Sequence, residues 1–425
     1  MSQTSLPIST DSASEEVPAW LSADAAAWAS ARPASWARPL WSVLALLATV
    51  ATAIAMEPLS VCSDAAPCGP DWIGMVQAGL AIGLLYWNAR LPELALVAAP
   101  VLVAIVAWEE LPSAGWGSRA ANLAVIAALG LGWAAAWVRL AARRRQWQLV
   151  GRAATTERRR WEPAGPRRRG TIPIAAGLAL CAVAAGAIAL GLRAVHEDER
   201  QAARATRTQT EVTGRTDMSL RVRAHDGRRI TVDALFPEDY RLGTTVTVLE
   251  DESGPRLAAE PYDALGWQLL VLAGGLPGLS LLTTGLLARR RSTALRLAPV
   301  PALRVLERLG HDGRTWVYAA DDTAGSAPLF TCVCVPVLPD ADEREQFGAE
   351  ITVAHHTDDI DDINDVPITE TRPHEAVMLG APYEGGELAL ITPGADGNPV
   401  VTHTIGPVRL PRPGKRPAGE TSADS

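Results

Sequence analysis

The chain has 425 residues, 48% of them hydrophobic, and a formal net charge of −8. That length admits two or three domains. Apolar stretches without charge alternate with segments dense in Arg, Asp and Glu, which argues against one soluble core and for a membrane protein.

Residues 1–19 are polar and acidic and do not read as a secretory signal. Residues 1–38 read as a cytoplasmic tail, disordered or interfacial. Trp20, Trp28 and Trp36 suit a short helix at a membrane surface, limited by Pro33. Six candidate spans follow: Leu40–Met56, Trp72–Trp87, Leu94–Trp108, Ala120–Val138, Ile172–Leu192 and Trp267–Leu287. Several sit at the short end of the roughly 17–25 residues that cross a bilayer. The second and third are the weakest and suit a tight helical hairpin. Trp41, Trp72, Trp87, Trp108 and Trp267 lie at span ends, where aromatic rings favour the headgroup level.

The expected fold class is a polytopic α-helical membrane protein of about six transmembrane helices, with a small extracytoplasmic β-module and a cytoplasmic β-rich C-terminal domain. The expected divisions are 1–38 (tail), 39–139 (four-helix transmembrane region), 140–170 (Arg-rich cytoplasmic loop), 171–193 (fifth span), 194–264 (extracytoplasmic module), 265–288 (sixth span), 292–408 (cytoplasmic domain) and 409–425 (disordered tail).

Arginine sets the orientation. Eleven arginines lie between Arg139 and Arg169, three more follow the sixth span, and loop 57–71 has no basic residue. With six spans every Arg-rich connection falls on one side, expected to be the cytoplasm, with both termini there. The expected location is the bacterial plasma membrane. Cys62 and Cys68 then sit in an external loop, where an oxidising space favours a disulfide. Cys332 and Cys334, in LFTCVCVPV, share one face of a strand and read as two small core residues, since no second Cys pair follows to complete a zinc site.

Segment 194–264 reads as four or five short strands. MSLRVRA and RITVDAL alternate with period two, and Asp226-Gly227 lies between them, a strong hairpin signal. TTVTVLE and Arg256-Leu257-Ala258 follow. The C-terminal part offers PALRVLER, RTWVYAA, LFTCVCVP, EAVMLGAP, GELALIT and VVTHTIG as strands. The tetrapeptide His-Asp-Gly-Arg occurs at 225–228 and again at 311–314. Each copy joins two strands, so both read as turns rather than as sites.

The Asp226-Gly227-Arg228 turn, the following Arg241, Gly243, Val246, Val248 and Leu249, and the closing Pro255 and Ala258 resemble a bacterial membrane-protein family of unknown function. That family carries a small extracytoplasmic β-module between two transmembrane helices. The resemblance covers about residues 190–290 and implies topology but no chemistry. The dominance of Arg over Lys, with Lys415 the only lysine, resembles an actinobacterial composition.

No catalytic spacing stands out: there is no H-E-x-x-H, G-x-S-x-G or phosphate-cradling loop. The expectation is no catalytic residue, no cofactor and no firm metal site. HHTDDIDDIND, 355–365, is the weak metal candidate through His355, His356, Asp358 and Asp361, but it lacks the calcium-loop spacing and reads as a solvated acidic insert. The expected partners are the lipid bilayer, anionic headgroups at Arg143, Arg144, Arg145, Arg158, Arg159 and Arg160, and a membrane-protein partner or a second copy. No nucleic acid is expected, because no stacking module accompanies the arginines. The leading expectation is a sensor, scaffold or accessory subunit without catalysis. A transporter is the alternative, though the spans hold few ionisable groups. A membrane-bound metal-dependent enzyme is the second.

Overall fold

The structure is a computed structural model. It describes residues 17–57, 62–64, 67–113, 115–154, 158–159, 170–251, 254–297, 300–310, 313–336, 372–393, 399–404 and 408–410. The chain divides into two compact units. One combines Trp36–Ala136 with Ile172–Thr284. The other combines the N-terminal segment through Ser35, Trp137–Thr171 and the chain from Gly285 onward.

The helices are α1 (Ser22–Ser30), α2 (Pro39–Met56), α3 (Trp72–Arg90), α4 (Pro92–Ser113), α5 (Trp116–Ala153), α6 (Thr171–Arg204) and α7 (Leu265–Leu297). Five of them, α2 and α4 to α7, are long and apolar enough to cross a membrane by length and composition. This fits a polytopic membrane protein. Helix α3 has the length, 19 residues, but Gln77, Asn88 and Arg90 dilute its apolar character. Only Leu91 separates it from α4, which makes the expected hairpin.

Helices α6 and α7 pack through small residues. A Cβ at Gly177 would lie 2.6 Å from the Leu282 nitrogen, and one at Gly274 would lie 3.0 Å from the Leu180 carbonyl oxygen. The buried positions of α6 are Gly177, Ala184, Ala187 and Gly191. Residues three, four and seven apart share one face of a helix, and small ones there allow close packing. Pro277 lies inside α7, which continues through it.

The first unit also carries five strands: β2 (Thr206–Arg215), β3 (Ser219–Ala224), β4 (Arg229–Asp233), β5 (Thr245–Asp251) and β6 (Gly254–Leu257), after the short β1 (Arg158–Arg159) of the other unit. They close into a barrel in the order β2-β3-β4-β6-β5, with β4 and β6 parallel. This is a five-stranded Greek-key barrel of the OB type. Val212, Leu220, Val222, Val232, Val246, Val248 and Leu257 fill it. One boundary differs from expectation. Helix α6 runs on to Arg204, so the module's strands begin at Thr206 rather than near 194. Asp198 on that helical extension pairs with Arg256 of β6 and accepts from the Tyr262 amide, which ties helix to barrel. The loop holding Cys62 and Cys68, joined as a disulfide, docks on the barrel: Asp64 accepts from the Thr247 amide at 3.1 Å, and the Cys68 amide donates to Ala259.

The other unit is built on β7 (Val300–Leu309), β8 (Thr315–Tyr318), β9 (Phe330–Cys332), β10 (Cys334–Pro336), β11 (His374–Leu379), β12 (Ala389–Pro393) and β13 (Pro399–Thr404). Their order is β10-β13-β12-β11-β7-β8-β9, and β1 pairs with β7 beside this path. The end strands β9 and β10 are consecutive in the chain, joined by Val333 alone. The sheet therefore curls until its ends meet. Its concave side buries Leu303, Val305, Val317, Phe330, Met378, Leu388 and Leu390.

Residues 17–38 are not the expected tail. The Trp20 amide donates to the Arg304 carbonyl, and the Arg304 amide donates to Pro18, so the N-terminal segment lies alongside β7 as a short parallel bridge. Trp20 and Trp28 are fully buried in the same core, edge to face at 5.6 Å. The indole of Trp28 donates to the Pro382 carbonyl at 2.9 Å. The Arg-rich loop also begins later than expected: α5 continues to Ala153, and its Val150, together with Ala154 just beyond, joins this core.

Candidate functional site

The concave face of the curled sheet is apolar at one end and polar at the other. Alternate residues of a strand share a face. Continuing the buried run Leu303, Val305 along β7 brings Glu307 to that face. The same step takes Ala376 to His374 on β11, Val317 to Thr315 on β8, Phe330 to Cys332 on β9 and Leu390 to Thr392 on β12. Register pairs His374 with Glu307, Thr315 with Cys332, and Cys334 with Thr404.

These side chains interact. His374 Nε2 lies 3.2 Å from Glu307 Oε1. Cys332 Sγ lies 3.4 Å from Cys334 Sγ and 3.8 Å from the Thr315 carbonyl oxygen. The Glu307 side chain is nine-tenths buried, and its Oε2 has no hydrogen-bond partner among the described residues. A buried carboxylate oxygen without a donor is uncommon and calls for a cause. The two thiols divide one role. The contact between the two sulfurs holds the Cys334 thiol below its ordinary value against the opposing effect of burial. The same contact pushes the Cys332 thiol up, and burial and the Glu307 charge push it further.

The residues singled out from sequence fall elsewhere. Asp226 accepts from the amide and side chain of Arg228, Gly227 takes φ +88°, and His225 is exposed, so the first His-Asp-Gly-Arg is a hairpin turn. In the second copy Gly313 takes φ +67° and the Gly310 amide donates to Arg314; His311 and Asp312 lie outside the described residues. His355, His356, Asp358 and Asp361 also lie outside them, as does Arg160. Arg144 and Arg145 are exposed on α5, whereas Arg143 is half-buried near Gly385. The backbone of Arg158 and Arg159 forms β1 on β7. Among the described residues no three His, Cys, Asp or Glu side chains gather as a metal-ligand group.

No family model matches this chain, and neither does any curated protein or solved structure.

Sequence reasoning treated Cys332 and Cys334 as core filler and missed Glu307 and His374. The latter two are distant in sequence, and only the β7–β11 register joins them. The available signal was a charged residue, Glu307, on the face of β7 whose preceding inward positions, Leu303 and Val305, are apolar.

Proposed function

We propose that this chain is a multi-pass protein of the bacterial plasma membrane that acts as a sensor, scaffold or accessory subunit. It carries the β2–β6 barrel outside and the curled sheet in the cytoplasm. One observation carries the reading. The N-terminal segment, the chain around Arg158 and the C-terminal sheet are strands or neighbours of one sheet. Chain segments that share a sheet lie on the same face of a membrane. The chain must then cross an even number of times between Trp36 and Ala136. Three apolar helices of that stretch, α2, α4 and α5, meet the length and composition of a span. Helix α3 supplies the fourth crossing that parity requires. Helices α6 and α7 add two, which leaves the barrel on the opposite face.

The arginine count assigns the faces. The lipid-facing character of the spans is consistent with this: Leu44, Leu47, Ile54, Val97, Leu178 and Leu190 are exposed. Arg144 and Arg145, exposed on α5, suit anionic headgroups. A barrel tethered by helices at both ends suits reporting a ligand or partner outside to a folded domain inside.

The disulfide tests the reading. In intact cells Cys62 and Cys68 should resist a membrane-impermeant maleimide until a membrane-impermeant reductant is added, and then both should label. No labelling after the external reductant would place that loop inside and overturn the orientation. Purification in detergent followed by mass spectrometry tests the role. A reproducible stoichiometric partner supports it, whereas turnover of a substrate by the isolated chain contradicts it.

A further inference from the structure

The polar end of the curled sheet presents two facing thiols and a buried carboxylate with an unpartnered oxygen. Glu307 carries charge into an interior where an isolated carboxylate is costly. Its Oε1 faces His374, and its Oε2 meets no donor among the described residues. The surroundings are hydroxyls and a carbonyl: Thr315 and Thr402 reach Cys334, and the Thr315 carbonyl faces Cys332.

Geometry separates the two chemistries open to a pair of thiols. A disulfide needs the sulfurs at about 2.0 Å and the Cα atoms within about 6.8 Å. Alternate residues of an extended chain hold their Cα atoms about 6.6 Å apart, at the edge of that range. Two metal–sulfur bonds of about 2.3 Å at a tetrahedral angle set the sulfurs about 3.8 Å apart. The observed 3.4 Å needs only a small opening to reach that value. Closing to a disulfide needs a much larger movement, and it would occur where one strand changes partners, from β8 to β13.

We propose that Cys332 and Cys334 are the thiolate ligands of a soft divalent cation of the zinc–cadmium class, with the Glu307 carboxylate supplying the remaining countercharge. Thiolate sulfur selects such ions over magnesium or calcium. The protein gives two strong donors, and water or the neighbouring threonine hydroxyls complete the shell. Binding displaces the proton shared by the thiols, so affinity rises with pH. Cys332 and Cys334 bracket Val333, the link between the sheet's two ends, so a bound ion would fix the closure of the curl. The inference rests on the cytoplasmic placement only in that free thiols persist there.

The test uses the full chain in detergent with Cys62→Ser, Cys68→Ser and Cys181→Ala, so that Cys332 and Cys334 are its only thiols, reduced and then freed of reductant under anaerobic conditions, and titrated with cadmium alone. The expected result is a single cadmium ion per chain, with the ultraviolet charge-transfer band of cadmium thiolates. Cys332→Ser and Cys334→Ser should each abolish the band. Glu307→Gln keeps both thiols and should weaken binding by about ten- to a hundred-fold, as loss of a supporting group does at other metal sites. Gel filtration and thermal melting identify any variant that has not folded, and Glu307→Gln then carries the decision. A band of equal strength in the Cys332→Ser/Cys334→Ser double variant would overturn the proposal, as would no band in the parent. Unchanged affinity in Glu307→Gln would overturn it as well, since the carboxylate supplies the countercharge in the proposed site. Because the readout is on purified protein, failure here leaves the membrane topology standing, and a reversed topology leaves this binding intact.

Discussion

The indole nitrogen of Trp28 donates a hydrogen bond to the carbonyl of Pro382 at 2.9 Å. The bond joins a helix that precedes every candidate span to a loop that follows all of them. Trp28 is fully buried, packs edge to face on Trp20 and lies 6.3 Å from Phe330. The segment 17–30 is therefore part of the C-terminal core and not an appendage.

Trp28→Ala should remove a large buried ring and lower stability by about 3–5 kcal/mol. Trp28→Phe keeps most of the packing but strands the Pro382 carbonyl, at a cost of about 1–3 kcal/mol. Limited proteolysis reads both: the N-terminal segment should be released fastest in the alanine variant. Equal cleavage of all three proteins would contradict the packing.

Asp321 anchors the same segment from outside the core. Its Oδ1 accepts from the amide and hydroxyl of Ser22, the first residue of α1, at 2.8 and 2.7 Å. The Ser22 hydroxyl bond holds the Asp321 carboxyl below its ordinary value. A carboxyl depressed in the folded state stabilises above its unfolded value, about 3.9, and loses that contribution as pH falls through the lower folded value. Parent and Asp321→Asn should thus differ in protease resistance at pH 6 and converge below about pH 4. A difference that grows on acidification would reverse the sign and reject the linkage.

Much of this fold was legible because its signals are local. The six helices follow from runs without charge, and β3 and β4 follow from period-two alternation across Asp226-Gly227. Strand β2 was not legible. TRTQTEVTGR is polar along nearly its whole length, and only Thr210 and Val212 are buried. Its place is set by pairing with β3 and β5, which no local pattern announces. The docking of Trp20 and Trp28 was hidden for another reason. Trp28 lies on α1 and Trp20 precedes it, and an indole on or beside a short helix suits a lipid surface and a protein core alike. The thiol pair was visible as C-x-C, but Glu307 beside His374 exists only through strand register.

Helices α6 and α7 give a steric test. Gly177→Leu would place a Cβ 2.6 Å from the Leu282 nitrogen and 2.8 Å from the Gly278 oxygen, both backbone atoms that cannot yield without moving a helix. A loss of about 1–3 kcal/mol is expected, read as a lower melting temperature in detergent. Gly186 on the same helix has nothing within 4 Å of its Cβ position, so Gly186→Leu should melt with the parent. Equal effects from the two would mean that α6 and α7 do not pack through this face.

The central claim is that Leu21 and Leu309 share one face of the membrane and Met218 lies on the other. All three are exposed, at 46%, 55% and 75%. The direct measurement is labelling of single cysteines at these positions by a membrane-impermeant maleimide, in a chain whose Cys181, Cys332 and Cys334 are replaced. In intact cells Met218→Cys should label, while Leu21→Cys and Leu309→Cys should label only after permeabilisation. Labelling of Leu21→Cys and Leu309→Cys on opposite sides, or of Met218→Cys together with Leu309→Cys in intact cells, would contradict the account.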